Sequence, residues 1–125
     1  MSLLLLDVPC EPVPCPRPRV SKFGSYYPPR YRNWKRDFSA EVARIAPFVT
    51  GADLPLRGTL SISVDIYCTR PRTSKLMYPR PDLDNYIKAV LDACNKLLWL
   101  DDSQIIAIRG TKQWGDPARV TIQVL

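Results

Sequence analysis

Apolar residues recur along this chain with two different periods, and the switches between them mark out the elements. Leu3 to Leu6 with Val8 form a short apolar run stopped by Pro9 and Pro12, which reads as a buried strand. From Tyr31 to Pro47 the spacing becomes helical, with Trp34, Phe38, Val42 and Ile45 on one stripe. Thr59 to Cys68 then alternates, Leu60, Ile62, Val64 and Ile66 against Ser61, Ser63 and Asp65, the signature of a strand with one face buried. The helical period returns in Leu83, Ile87, Val90, Leu91, Cys94, Leu97 and Leu98, predicting a second helix from Asp82 to about Leu98. Ile105–Ile108 and Val120–Val124 close the chain as two strands joined through the turn Trp114-Gly115-Asp116-Pro117.

The order β-α-β-α-β-β predicts an α+β fold, a mixed sheet with both helices packed on it, as a single domain over residues 1–125. Two stretches resist this scheme. Cys10 to Pro29 is an extended segment carrying Pro12, Pro14, Pro16 and Pro18. A structureless loop of about twenty residues is unexpected in a compact domain unless it is functional or pairs as a ribbon. Thr69 to Pro81, rich in proline and arginine, is expected to be a mobile connection.

Composition adds a direction. The chain holds 13 prolines among its 125 residues and 18 Lys and Arg against 12 Asp and Glu, for a formal charge of +6. The excess is clustered: Arg17, Arg19, Lys22, Arg30, Arg32, Lys35 and Arg36 form one group, and Arg70, Arg72, Lys75 and Arg80 another. Clustered cations form a phosphate-binding footprint, although a solvated basic surface that merely keeps the protein soluble has the same composition. Phe23, Tyr26 and Tyr27 interleave with the first group, which suits contact with both phosphates and bases, although aromatics also serve to pin a loop to its domain. The four cysteines have no zinc-site spacing, and no histidine accompanies them, so free thiols are expected. Leu3 to Leu6 is too short for a signal-peptide core or a membrane span. A cytoplasmic protein is the expectation.

Against this basic background the acidic residues gather in two places. Arg80-Pro81-Asp82-Leu83-Asp84-Asn85-Tyr86-Ile87-Lys88 opens the second helix, and Trp99-Leu100-Asp101-Asp102-Ser103-Gln104 follows it. Asp82 and Asp84 converge whether Asp82 is extended or caps the helix. Asp84, Lys88 and Asp92, four residues apart, share one helical face. Aspartate is also common at helix starts and in turns, so each acid taken singly has a structural explanation. The helix spans about 24 Å at 1.5 Å per residue, and the sequence leaves open whether Asp101 and Asp102 return to its start.

Arg-Pro-Asp-Leu-Asp-Asn-x-x-Lys-Ala-x-x-Asp-Ala followed by Trp-Leu-Asp-Asp-Ser-Gln-Ile resembles the signature of the RusA family of Holliday junction resolvases of bacteria and their phages. The resemblance is dense over residues 80–106 and extends more loosely to the Pro-x-Pro-Arg-Pro-Arg segment and the helix containing Trp34. It implies a homodimeric, magnesium-dependent endodeoxyribonuclease, with manganese as a possible substitute, that nicks two opposed strands of a four-way junction. By the same resemblance Asp82, Asp84 and Asp102 would be the metal-binding carboxylates and Lys88 the catalytic lysine, with Asp92 and Asp101 as supporting residues. Ligands could assemble across or near the subunit interface. Arg17, Arg19, Lys22, Arg30, Arg32, Lys35, Arg70, Arg72 and Lys75 are the candidate DNA contacts. One departure is the compact link Cys94-Asn95-Lys96-Leu97-Leu98, without the glycine some relatives place there. Two rivals share these features: a branched-DNA-binding module without catalysis, and a metal nuclease acting on other branched nucleic acids.

Overall fold

The computed structural model describes residues 2–125. A four-stranded mixed sheet carries two helices on one face. Its strands are β1 (Leu4–Pro9), β4 (Leu60–Cys68), β5 (Ile105–Trp114) and β6 (Arg119–Val124), in the spatial order β1-β6-β4-β5. The helices are α1 (Pro29–Ile45) and α2 (Leu83–Cys94), while β2 (Arg19–Ser21) and β3 (Gly24–Tyr26) form a separate hairpin. The expected α+β architecture is present, and part of the first long segment, Arg19–Tyr26, pairs as a ribbon.

Alternation decides which face the sheet buries. Leu4, Leu6 and Val8 of β1, Ile62, Val64 and Ile66 of β4, and Val120, Ile122 and Val124 of β6 are all buried. The helices cover them with Tyr31, Trp34, Phe38 and Val42 from α1 and Tyr86, Ala89, Val90, Ala93 and Cys94 from α2. A fully buried aliphatic side chain stabilises by about 1.5–3 kcal/mol, so this layer dominates the fold. Ser39 Oγ ties the two helices by donating to the Ala93 carbonyl at 2.8 Å. The opposite sheet face is polar and pairs across strands: Thr121 Oγ1 donates to Asp7 Oδ1 at 3.1 Å, and Thr111 Oγ1 donates to Asp65 Oδ1.

Strands β4 and β5 pair in parallel, whereas β6 runs antiparallel to both β1 and β4. A parallel pair requires a crossover, and α2 is that crossover. It therefore runs against β5, and the segment entering β5 lies beside the end of α2 rather than its start. Gly110 of β5 sits directly under the helix, where a Cβ would come within 2.8 Å of Ile87 Cδ1.

Three boundaries differ from the periodicity. Helix α2 stops at Cys94 rather than continuing to Leu98, because Lys96 adopts φ 73° and the chain turns back, its N–H donating to the Trp99 carbonyl at 2.9 Å. Leu97 and Leu98 keep the apolar stripe going because they pack against the same core, not because they are helical. Strand β5 extends to Trp114, well past Ile108, and α1 begins at Pro29, a residue whose fixed φ suits the first turn.

Candidate active site

The start of α2 is built so that a carboxylate is left unused. Asp82 occupies the N-cap position with extended backbone, yet its side chain makes no capping hydrogen bond. Capping is the usual structural reason for aspartate here, and it does not account for this one. Asp84 is exposed in the first turn, its Oδ1 accepting only the Asn85 N–H at 3.0 Å. Of the two alternatives for this pair, the N-cap one is realised: Asp82 precedes the helix and Asp84 lies in its first turn. Lys112 fixes this end of α2, donating Nζ to the Pro81 carbonyl at 2.8 Å.

Two clefts meet at Asp84 and Lys88. The larger, about 690 Å³, runs along α2 and β5 and is lined by Asp84, Lys88, Asp92 and Asp102 together with Leu83, Ile87, Leu91, Ile108 and Gly110. The other, about 450 Å³, is lined by Asp82, Asp84, Asn85 and Lys88 and by Arg17, Pro18 and Tyr27 from the base of the hairpin. Asp84 and Lys88 form the ridge between them. Lys88 Nζ lies 3.3 Å from Asp92 Oδ2, which also accepts the Tyr31 hydroxyl at 3.5 Å. The Asp92 charge holds the Lys88 pKa above the usual lysine value, with their hydrogen bond adding to it, so Lys88 is cationic throughout the neutral range.

At the far end of the larger cleft, Asp102 Oδ1 accepts the indole N–H of Trp99 at 2.7 Å. Trp99 itself is fully buried. Its neighbour Asp101 serves the turn instead. The Asp101 carboxylate accepts the Ser103 N–H at 3.0 Å while Gln104 Oε1 accepts the Asp101 N–H at 2.8 Å, a complete capping box. Hydrogen bonding from Ser103 lowers the Asp101 pKa. The Gln104 amide also donates to the carbonyls of Leu56 and Gly58 at 3.0 and 2.9 Å, which anchors the turn that carries Asp102. Trp99 and Gln104 stand in the motif read from the sequence but have no role assigned there, and Lys112 is not singled out. The Trp-x-x-Asp spacing could have pointed to the first and the capping-box spacing to the second, whereas nothing local marks Lys112.

Asp82, Asp84 and Asp102 are not gathered at one point. Asp84, Asp92 and Asp102 all line the larger cleft, along which Asp84 and Asp92 are about 12 Å apart at 1.5 Å per residue. Among the described residues no three acidic, histidine or cysteine side chains form a ready-made metal cage. The donors that face the clefts are nonetheless hard carboxylate oxygens, and Cys15 turns its thiol to the Pro16 carbonyl at 3.6 Å. Magnesium commonly takes only one or two protein carboxylates, with water and phosphate completing its shell. In their chemistry, the residues present fit a hard divalent ion.

Arg17, Arg19, Lys22, Arg30, Arg32, Lys35, Arg70, Arg72 and Lys75 form no ion pair among the described residues. Arg36, by contrast, is paired with Asp37 at 3.1 Å. Arg17 lines the smaller acidic cleft, Arg19 and Lys22 ride the hairpin, and Arg30 opens on a separate groove beside Arg80 and Trp114.

A family model described as Endodeoxyribonuclease RusA matches residues 9–125. The chain belongs to the RusA endodeoxyribonuclease family. Membership makes it a hydrolase of DNA phosphodiester bonds, of the Holliday-junction-resolving type, acting on branched DNA with a divalent metal. It is also similar to a Bacillus subtilis (strain 168) protein described as "Uncharacterized protein YqaN", at 30% identity over 99% of this chain and 96% of that one. The RusA match takes in β2, β3, both helices and Asp82, Asp84, Lys88, Asp92, Asp101 and Asp102. No helix among the described residues is long and apolar enough to cross a membrane.

Proposed function

We propose that this RusA-family enzyme resolves four-way DNA junctions by paired nicks in a magnesium-dependent reaction, as a homodimer in the bacterial cytoplasm, whether host- or phage-encoded. The observation that carries this reading is the ridge of Asp84 and Lys88 between two clefts, with Asp82 opening on one and Asp102 on the other. Asp82, Asp84 and Asp102 would hold the metal, which when bound would polarise the scissile phosphate and make a water acidic enough to give up a proton and so become the nucleophile.

The remaining chemistry falls to the chain's own side chains. Lys88, kept cationic by Asp92, offsets negative charge that accumulates on the phosphate as water adds and the ester oxygen leaves. The chain has no histidine to act as general base, so either the acidity that the metal would confer on a water or a carboxylate at the cleft supplies that function. Arg17 and the hairpin cations draw the phosphate backbone across the smaller cleft. Trp99 holds Asp102 in orientation, as outer partners of metal-binding groups do.

The homodimer reading rests on separate ground. Strand β5 has one unpaired edge, and Ile106 and Ile108 are exposed beside the larger cleft. An uncovered, partly apolar edge invites pairing. A second copy there would set its own carboxylates near those of the first, which answers the separation of Asp102 from Asp82 within one chain, and a twofold assembly matches two symmetry-related strands.

The deciding experiment is cleavage of a synthetic four-way junction with magnesium, wild type beside Asp82→Asn. The variant is expected to bind the junction as well as wild type or better and to leave it intact; full cleavage by it would remove Asp82 from the site. If the dimer neutralises on the order of ten phosphates, affinity drops by several decades between low and moderate salt. A flat salt response would contradict the basic surface.

A further inference from the structure

Exposed apolar side chains occur at several places on the body of this protein, among them Phe48, Met77 and the β5 pair Ile106 and Ile108, and some such exposure is ordinary for a folded surface. Phe23 is different in where it stands. It is 90% exposed at the tip of the β2–β3 hairpin, beside Val20 at 83%. Its strands pair Arg19 with Tyr26, Val20 with Ser25 and Ser21 with Gly24, leaving Lys22 and Phe23 as the two-residue turn. The turn is held rather than loose. Ser21 Oγ accepts the Phe23 N–H at 3.2 Å and donates to the Gly24 carbonyl at 3.2 Å, and Gly24 takes φ 115°, open to glycine at no steric cost.

The surroundings of the ring specify a polyanionic partner. Lys22 Nζ lies 5.2 Å from the Phe23 ring centroid, and Arg17 and Arg19 run up the same arm without acidic partners among the described residues. The arm springs from the rim of the smaller acidic cleft, where Arg17, Pro18 and Tyr27 line the wall opposite Asp82 and Asp84. At about 3.3 Å per extended residue, the ring stands at most roughly 20 Å from that cleft. A bare aromatic on a rigid turn, flanked by cations and mounted beside the candidate chemistry, has the form of a base-stacking wedge.

We propose that Phe23 inserts between bases at the branch point of the DNA substrate and so selects branched over linear DNA. Stacking on an aromatic ring suits any base, because each has a π face. Inserting it into a continuous duplex requires unstacking a base step, whereas a branch point has already lost part of that stacking. The wedge therefore adds preference for branches while the arginines supply affinity for any duplex. The proposal rests on the family's action on branched DNA.

The test places 2-aminopurine at the branch of a four-way junction and records its fluorescence with full-length protein in EDTA, so that no strand is cut. Wild type and Phe23→Trp are expected to raise the signal, and Phe23→Ala to leave it at the free-junction level. Linear-duplex binding by Phe23→Ala should stay within about twofold of wild type, since its phosphate contacts persist. With magnesium restored, Phe23→Ala should nick the paired junction about tenfold more slowly and recover on a junction whose branch bases are mismatched. Equal fluorescence and equal nicking by Phe23→Ala and an active wild type would overturn the wedge alone. A wild type that binds linear and four-way DNA equally and nicks neither would overturn the resolvase reading for this chain.

Discussion

Trp99 donates its indole N–H to Asp102 at 2.7 Å from a ring that has no exposed surface. The donor cannot turn away without opening the core, so one carboxylate oxygen is fixed and the other is left to the cleft. Trp99→Phe keeps an aromatic ring in the core but removes the N–H together with part of the buried ring volume. We expect magnesium affinity or nicking to fall by about 10–100-fold, the usual consequence of losing an outer hydrogen-bond partner. A magnesium titration of nicking rate, alongside thermal unfolding to establish that the fold survives, measures it.

Asp92→Asn should act through Lys88. The wild-type ion pair raises the lysine pKa, so its contribution to stability is complete below the unfolded lysine value and is lost as pH rises through the higher folded one. Removing the charge of Asp92 lowers the Lys88 pKa towards 10.5, the ordinary value. Heteronuclear NMR of the lysine side chain reads that shift directly, and a Lys88 titration unaltered by Asp92→Asn would show that the pair is not formed in solution. Because Lys88 is cationic on both sides of neutrality, its protonation should contribute no step to the nicking profile between pH 6 and 9, a range well below its titration.

How much of this was legible beforehand depends on how local each cause is. Asp82, Leu83 and Asp84 are neighbours in sequence, so their convergence could be read without a fold. The place of Asp102 could not, because it depends on β4 and β5 pairing in parallel, a choice made by partners more than forty residues apart in their register. The end of α2 was hidden for a different reason. Leu97 and Leu98 continue the apolar rhythm after the backbone has turned at Lys96, where no glycine announces it. The hairpin escaped periodicity because its strands have three residues each and every one of them is exposed.

Gln104→Ala should loosen the turn without touching the larger cleft. It removes the acceptor of the Asp101 N–H and the donor to Leu56 and Gly58. A loss of about 1–3 kcal/mol is expected from the unmet partners, with faster hydrogen exchange over residues 99–105. Nicking should decline less than in Trp99→Phe, since the indole still holds Asp102.

Burial pushes the Cys10 thiol up to about 11 from an ordinary 9.0. The thiolate is the reactive form, so alkylation of native protein by iodoacetamide should remain slow at pH 8 and rise with a midpoint near 11. A midpoint at the ordinary value, followed by mass spectrometry of the Cys10 peptide, would place this thiol in water.

Helix α2 is tethered at both ends by side chains from elsewhere: Lys112 grips the Pro81 carbonyl, and Ser39 donates to the Ala93 carbonyl. The hairpin shares none of those tethers. Inheritance can therefore treat the two as separate cassettes. On the wedge reading proposed above, exchanging the eight residues Arg19–Tyr26 between relatives would change which DNA the enzyme prefers while the acidic framework stays put.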